Sequence, residues 1–281
     1  MAIVYAEDWV TKLQERLSEP TKWKDIMRVE ITNERVLHNP YRTDATVLTL
    51  VPYTAYVPAQ IALTDESITI NNPFVIPEII DRADLAQSGY LRQMEIADNQ
   101  GIQLNEKIEN YIYAQYAQLT TFDNTEIGGG AGNITVSSSN VDDIVRAVRR
   151  KISVAKGDTL MERNGVFIVW RPADLEILTA FMQANGFAQA DMALSKGTKG
   201  GGGFDYMGVT HYSSNQLTAG HVIAGVKGLW HLGILKDTYG MIMVNEKDPA
   251  NVSGISVVSR LDLAVKAWNK TTPVLFNITV A

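Results

Sequence analysis

Four histidines, His38, His211, His221 and His231, are the first residues to test for chemistry, and none has the neighbours that catalysis or metal binding needs. No H-E-x-x-H pair occurs, and no carboxylate stands at ligand spacing from a histidine, so a zinc-type site has no sequence support. The three histidines at 211, 221 and 231 fall in expected strands or turns, where an isolated imidazole serves as a satisfied polar group. Ser213 and Ser214 beside His211 are neighbours along the chain only, whereas a triad needs a base and an acid brought together by folding, and no G-x-S-x-G elbow is present. The absence of cysteine removes disulfides, zinc-thiolate sites, iron-sulfur clusters and thiol nucleophiles together.

Phosphate cradles fail on order. Lys196-Gly197-Thr198-Lys199-Gly200 lacks the G-x-x-x-x-G-K-[ST] arrangement. Gly128 to Gly132 runs into a polar serine stretch and does not join a buried strand to a helix, so it is no dinucleotide fingerprint. Arg146, Arg149, Arg150 and Lys151 form the densest basic cluster and read as a solvated helix face. The acid pairs Asp142/Asp143 and Asp65/Glu66 read as capping and turn residues. Four N-x-[ST] sequons, at Asn133, Asn251, Asn269 and Asn277, read as chance, since the first residues show no basic region leading into an apolar stretch of secretory type. No catalytic residue, cofactor-binding residue or metal ligand is expected.

The chain that would position such groups has 281 residues, with 46% hydrophobic and 20% charged residues, an ordinary globular balance. Its net charge of -6 is the wrong sign for a protein whose main task is gripping nucleic-acid phosphates. Residues 48–63 are the most apolar long window, but Pro52 and Pro58 interrupt it and it falls short of the roughly 18 apolar residues of a membrane span. No membrane partner is expected.

Residues 1–43 mix seven basic with seven acidic residues and include an amphipathic piece around Trp9, Leu13 and Leu17, which predicts an arm with one helix. Residues 43–81 change character: four of the nine prolines fall here, with no lysine or arginine. β-favouring composition at 46–51 and 67–70 predicts a two-stranded excursion with an irregular tip near 53–65, too thin to own a core. From Asp84 to about Thr120, Leu91, Met94, Gly101, Leu104, Ile108, Tyr111, Ile112, Gln115 and Leu119 keep the 3,4 spacing of a long strut helix. A glycine loop at 127–140 then leads into a helix capped by Ser139 or Asn140, with Ile144, Val145, Val148 and Ile152 inward. Residues 166–170 predict a buried strand, and Pro172 opens the next helix. Residues 184–204 read as a glycine-rich surface loop. Short strands are expected near 207–212, 221–226 and 241–244, then a long amphipathic strand with Ile255, Val257, Leu261, Leu263, Val265 and Ala267 on one face, and a last strand within 273–280. The class is α+β.

A thin β excursion, a strut helix and an α/β body suit a subunit whose extensions lie on its neighbours. Here the sequence resembles, over nearly its whole length, the major capsid (coat) proteins of tailed bacteriophages with the Hong Kong 97 phage-like fold. Residues 46–84 look like the family's E-loop hairpin, and residues 83–118 look like its spine helix. Val166-Phe167-Ile168-Val169-Trp170-Arg171-Pro172 resembles the strand and helix of the axial (A) domain. Gly208-Val209-Thr210, followed by Ser213-Ser214-Asn215-Gln216-Leu217, is similar to a recurrent segment of the family, and Arg260-Leu261-Asp262-Leu263-Ala264-Val265 is similar to its late peripheral (P) domain strands.

The resemblance implies an N-terminal arm at 1–45, an E-loop at 46–80, a P-domain with spine helix at 81–125 and 245–281, and an A-domain at 126–244. It implies a structural protein and no enzyme: pentamers and hexamers closing into an icosahedral head, a virion component assembled in the host bacterial cytoplasm. The implied partners are further copies of the chain, a separate scaffolding protein, a portal, and double-stranded DNA contacted weakly. No cofactor is implied. The apolar E-loop residues Val51, Tyr53, Tyr56, Val57, Ile61 and Leu63 are the candidate inter-subunit contacts. The E-loop has no lysine, so the amine that self-crosslinking members use is missing. An encapsulin-like nanocompartment is the nearest rival, and an unrecognised α/β enzyme a more distant one.

Overall fold

The computed structural model describes residues 21–42, 44–45, 47–49, 51–53, 55, 60–81, 92–186, 203–238, 241–245 and 254–281. In chain order the elements are α1 (Trp23–Ile26), β1 (Arg28–Thr32), β2 (Val36–His38), β3 (Tyr41–Arg42), β4 (Leu63–Thr64), β5 (Ser67–Thr69), β6 (Asn72–Asp81) and α2 (Arg92–Ala114). They continue with β7 (Thr120–Phe122), α3 (Val141–Val154), α4 (Asp158–Asn164), β8 (Val166–Trp170), α5 (Pro172–Ala184), β9 (Phe204–Tyr206), β10 (Val209–Ser213) and β11 (His221–Val226). The last strands are β12 (Trp230–Leu235), β13 (Met241–Asn245), β14 (Gly254–Ala267) and β15 (Leu275–Thr279).

Two sheets organise the body. A six-stranded sheet runs β7-β15-β11-β8-β10-β9, and a five-stranded sheet runs β1-β12-β14-β13 with β6 on β14. At the centre of the six-stranded sheet β8 is buried on both faces. Val166, Ile168 and Trp170 pack with α3 residues Ile144, Val145, Val148 and Ile152. Phe167 and Val169 face the opposite way, into a second core with Ile108 and Ile112 of α2, Trp230 and Leu232 of β12, and Leu261 and Leu263 of β14. The continuous apolar run of β8 follows from this two-sided burial. The second core is shared by both sheets, so the two halves are one packed body.

The expected division places 245–281 together and 126–244 together, but the pairing does not follow those boundaries. β12 lies between β1 and β14 in the five-stranded sheet, while β15 pairs with β11 and β7 in the six-stranded one. β1, expected as part of the N-terminal arm, is a parallel strand of the main sheet: Gly228 N donates to Ile26 O and Lys236 N to Thr32 O at its two ends. β12 carries apolar residues on both faces, so it shows no alternation from which to place it. Gly225 of β11 has φ +155, and a Cβ there would stand 2.7 Å from Val274 O; the close approach of 274–275 requires glycine.

β6 contains Pro73 and Pro77, which exclude a central strand. Among the described residues it pairs only with β14 and is therefore an edge strand, and the two prolines stand four apart, so both missing N–H groups point the same way along it. Its odd residues Pro73, Val75, Pro77 and Ile79 are exposed, whereas Phe74 turns inward, 5.6 Å edge-on from Tyr111 of α2.

The strut helix α2 spans 23 described residues, about 35 Å at 1.5 Å per residue. Ile108 and Ile112 face inward as expected, but Gly101 is exposed and Gln100 takes the inner face. Gln100 Nε2 donates to Val257 O, and the Ser259 hydroxyl donates to Gln100 Oε1. Beyond the helix Gln118 donates to Val265 O at 3.1 Å and accepts from Ala267 N at 2.9 Å. The β6 pairing stops at Leu263, and one glutamine side chain satisfies backbone that the missing strand would have paired. Glu109, also buried on α2, accepts from Lys22 N at 2.9 Å and from the Tyr113 hydroxyl at 2.9 Å, tying α1 to the strut.

Asn140 occupies the N-cap position of α3, but its side chain braces the preceding loop: Oδ1 accepts from Ser137 N and Nδ2 donates to Thr135 O. The glycine-rich loop expected at 184–204 lies mostly outside the described residues.

Candidate assembly surface

The excursion begins earlier than its composition indicates. β5 pairs with β2 (Val36↔Thr69, Leu37↔Ile68, His38↔Ser67) and β4 with β3 (Tyr41↔Thr64, Arg42↔Leu63). The register is constant across both pairs, so they are one hairpin interrupted at Asn39-Pro40, where Asn39 N still donates to Glu66 O. The stretch 46–51, expected as a strand, has no strand among its described residues. The hairpin therefore starts at 36 and not at 46, and 72–81 belongs to the main sheet. β-branched composition alone misplaces the strand because a strand exists only where a partner edge supplies hydrogen bonds.

The apolar residues singled out on this extension face solvent. Val51, Tyr53, Ile61 and Leu63 are exposed, and Tyr56 and Val57 lie outside the described residues. Val47, 95% exposed, and Leu48, 65%, extend the set and were missed, although Leu48 opens the apolar window and Val47 immediately precedes it. Of the eleven large hydrophobic residues exposed among the described residues, ten lie between Ile31 and Ile79 and only Val154 lies elsewhere. Scattered single apolar residues are ordinary on a protein surface, whereas seven of these eleven, Val36, Val47, Leu48, Val51, Tyr53, Ile61 and Leu63, stand on the thin extension, and Ile31, Val75 and Ile79 stand on strands of the main sheet.

The base of the extension is held firmly. His38 Nδ1 lies 2.7 Å from Asp65 Oδ2 across the hairpin. Leu37, Ile68 and Ile70 pack with Leu235, Ala264 and Trp268, and Gly233 leaves room for the side-chain ends of Leu37 and Ile70. Polar ties flank this cluster: Glu66 accepts from Asn269 N at 3.1 Å, and Lys270 Nζ reaches Asp44 Oδ2 at 2.8 Å. Lys270 holds the exposed Asp44 carboxyl below its usual range, first through the hydrogen bond and then through charge.

The remaining chemical candidates are absorbed into structure. Arg146 pairs with Asp142 and Asp143, Arg149 donates to Met207 O, Arg150 to Glu126 O, and Lys151 to Glu126 Oε1. The basic cluster thus straps α3 to neighbouring loops. Each histidine has a partner: His221 Nδ1 is 2.9 Å from Asn277 Oδ1 and its ring stacks on Tyr116, Trp170 Nε1 donates to His211 Nδ1 at 2.9 Å, and Trp268 Nε1 donates to His231 Nδ1 at 3.0 Å. Among the described residues no group of three or more His, Asp or Glu could hold a metal ion, and no helix is long and apolar enough to cross a membrane.

His211 makes a testable acid-sensitive site. Its Nδ1 accepts from an indole, so its hydrogen is on Nε2, facing Tyr206 O. Burial lowers its pKa to about 4, against an ordinary value near 6.5. The unfolded chain therefore binds a proton that the folded chain refuses. The stabilisation is complete above about pH 6.5 and is lost as pH falls towards 4, amounting to about 3 kcal/mol. Thermal melts of the subunit between pH 7.5 and 4 should show this loss, and a His211→Asn chain should show a shallower dependence; equal slopes would contradict the assignment.

No family model matches the chain, and no curated protein matches it. Solved structures do. A chain of Mycobacterium phage Che8 is similar at 15% identity and TM-score 0.70, over 97% of this chain and 96% of that one. A capsid chain of an empty GTA particle is similar at 10% identity and TM-score 0.69, over 99% and 95%. A virus-like particle from Pyrococcus furiosus is similar at 8% identity and TM-score 0.59, over 92% of each chain. At these identities the likeness is one of fold, and it covers 92% or more of this chain in each case.

Proposed function

We propose that this chain, which has the Hong Kong 97 phage-like capsid fold, is a major shell protein: many copies associate as pentamers and hexamers into an icosahedral head around double-stranded DNA. The observation that carries this reading is the likeness to capsid chains over nearly the full length of both partners. The exposed apolar extension supports it, because closure needs repeated heterologous contacts around rings plus segments that bridge rings. Within this reading the five-stranded sheet with α2 is the peripheral part, the six-stranded sheet with α3 and α5 is the axial part, and Val51, Tyr53, Tyr56, Val57, Ile61 and Leu63 contact neighbours. A separate scaffolding protein, a portal, assembly in a bacterial cytoplasm and weak contact with DNA, in keeping with the net charge of -6, complete the proposal.

Electron microscopy and light scattering of the purified chain, with scaffold co-expressed, test it. Closed shells are expected, and a persistent monomer would overturn it. The encapsulin-like alternative keeps the shell and changes the contents, so nuclease-protected DNA inside the particles separates the two.

Covalent chainmail of the E-loop-lysine type is not expected, because residues 43–81 contain no lysine and the chain no cysteine. Denaturing gels of mature particles should show one band near 31 kDa; a ladder of covalent oligomers would refute this.

A further inference from the structure

We propose that His231 is a proton-responsive latch that sets the angle of the 36–69 extension against the five-stranded sheet, closed when its ring is neutral and released when the ring is protonated. This concerns the single subunit and does not rest on the shell reading.

The donor and acceptor inventory carries the argument. An indole N–H can only donate, so the 3.0 Å contact from Trp268 Nε1 requires a bare Nδ1 on His231. Imidazolium carries hydrogen on both nitrogens, and protonation places two donors face to face at that distance. The other nitrogen, Nε2, lies 3.1 Å from Glu30 Oε2, close enough for an ion pair but off the line of a good hydrogen bond. That contact improves once the ring is charged. Protonation therefore weakens the Trp268 side and strengthens the Glu30 side, drawing the ring towards β1.

Among the described residues the charged groups around the ring are few. Arg28 and Glu30 come from β1, with Arg28 4.0 Å from Glu30, and Lys266 stands opposite His231 on β14. Leu37, Ile68 and Ile70 bring only apolar surface. Burial, first among the causes, holds the ring below the usual histidine range; Glu30 opposes this and Arg28 adds to it. The neutral, latched state is therefore the resting one near pH 7.

Trp268 connects the ring to the extension. Its side chain lies in the small cluster with Ile68 and Ile70, the next backbone N–H donates to Glu66, and Lys270 pairs with Asp44 and lies over the Tyr41 ring. Thr271 N and Thr272 N both donate to Trp268 O, so the turn moves as a unit. Release of Trp268 loosens the apolar seat and both polar ties at once, and with the seat gone the β2-β5 pairing that rests on it opens more often.

The test uses the 15N-labelled subunit under non-assembling conditions from pH 7.5 to 5. The Trp268 indole resonance, identified by its loss in Trp268→Phe, should shift with a midpoint below 6.5. Hydrogen exchange at 66–70, corrected for the intrinsic pH effect, should lose protection at least tenfold over the same range. His231→Asn supplies an acceptor oxygen that does not titrate, and should flatten both curves; should that chain fail to fold, Trp268→Phe serves instead, with low protection at every pH. His211→Asn should leave the Trp268 midpoint unchanged. An indole resonance that does not titrate, one that titrates equally in His231→Asn, or protection at 66–70 that ignores the Trp268 transition would each overturn the latch, as would wild-type pH dependence in Trp268→Phe.

Discussion

Ile108→Asp is expected to abolish the cooperative melt of the subunit. Ile108 is 2% exposed and stands in the core shared by both sheets, with Trp23, Ile112 and Trp230. An aspartate there enters a site whose nearest acidic neighbour along the helix, Glu109, is itself buried and already accepts two hydrogen bonds. An unpaired buried charge costs several kcal/mol, against a total stability of about 5–15 kcal/mol for a domain. Because both halves lean on this core, neither should survive separately. Ile108→Val is the control, at about 0.5–1.5 kcal/mol. Calorimetry and circular dichroism read the result, and an Ile108→Asp subunit melting like the wild type would contradict the inward placement.

Deleting 46–61 and closing the gap with a short Gly-Ser turn should have the opposite profile: a subunit that folds normally and particles that do not close. The deletion leaves the paired residues 41–42 and 63–64, the His38–Asp65 contact and the Trp268 seat in place. It removes Val47, Leu48, Val51, Tyr53 and Ile61, which are all exposed in the subunit and so give its stability almost nothing. A modest contact repeated in every copy sums to a large closure energy, so its loss should divert assembly to free rings or irregular aggregates. Sedimentation and electron microscopy test closure, while a thermal melt within 2–4 °C of wild type, roughly 1 kcal/mol at this size, tests the fold. Normal particles would show that the segment bridges nothing; a collapsed melt would show that it belongs to the core.

What could be read from the chain alone depended on how locally each feature is encoded. The inward face of α3, the buried strand β8, Pro172 at the start of α5 and β11 at 221–226 follow from periodicity and capping within a few residues. β1, β6 and β12 were not legible. β12 is buried on both faces and so does not alternate, β6 carries prolines that only an edge position excuses, and β1 makes a strand only because β12 offers a parallel edge some 200 residues away. At the candidate surface the exposed residues were visible as apolar side chains without a core. Trp268, Lys270 and Glu66, which hold the extension's base, gave no local signal, since their contacts span more than 200 residues of sequence for Glu66–Asn269 and Asp44–Lys270.

That long-range pairing bears on the order of events during synthesis. The apolar tip at 47–63 leaves the ribosome early, whereas β6 waits for β14 and β1 waits for β12, and the six-stranded sheet lacks β15 until 275–279 are made. Non-local strand pairing is slow, and the loop-closure entropy is paid before the contacts that reward it form. A sticky tip is therefore displayed for seconds, at about 5–20 residues per second, by chains that have no finished body to join to anything. Pro40, Pro52 and Pro58, with Asp44, Asp65 and Glu66, break and charge that stretch, features that act against edge-to-edge strand pairing between unfinished chains.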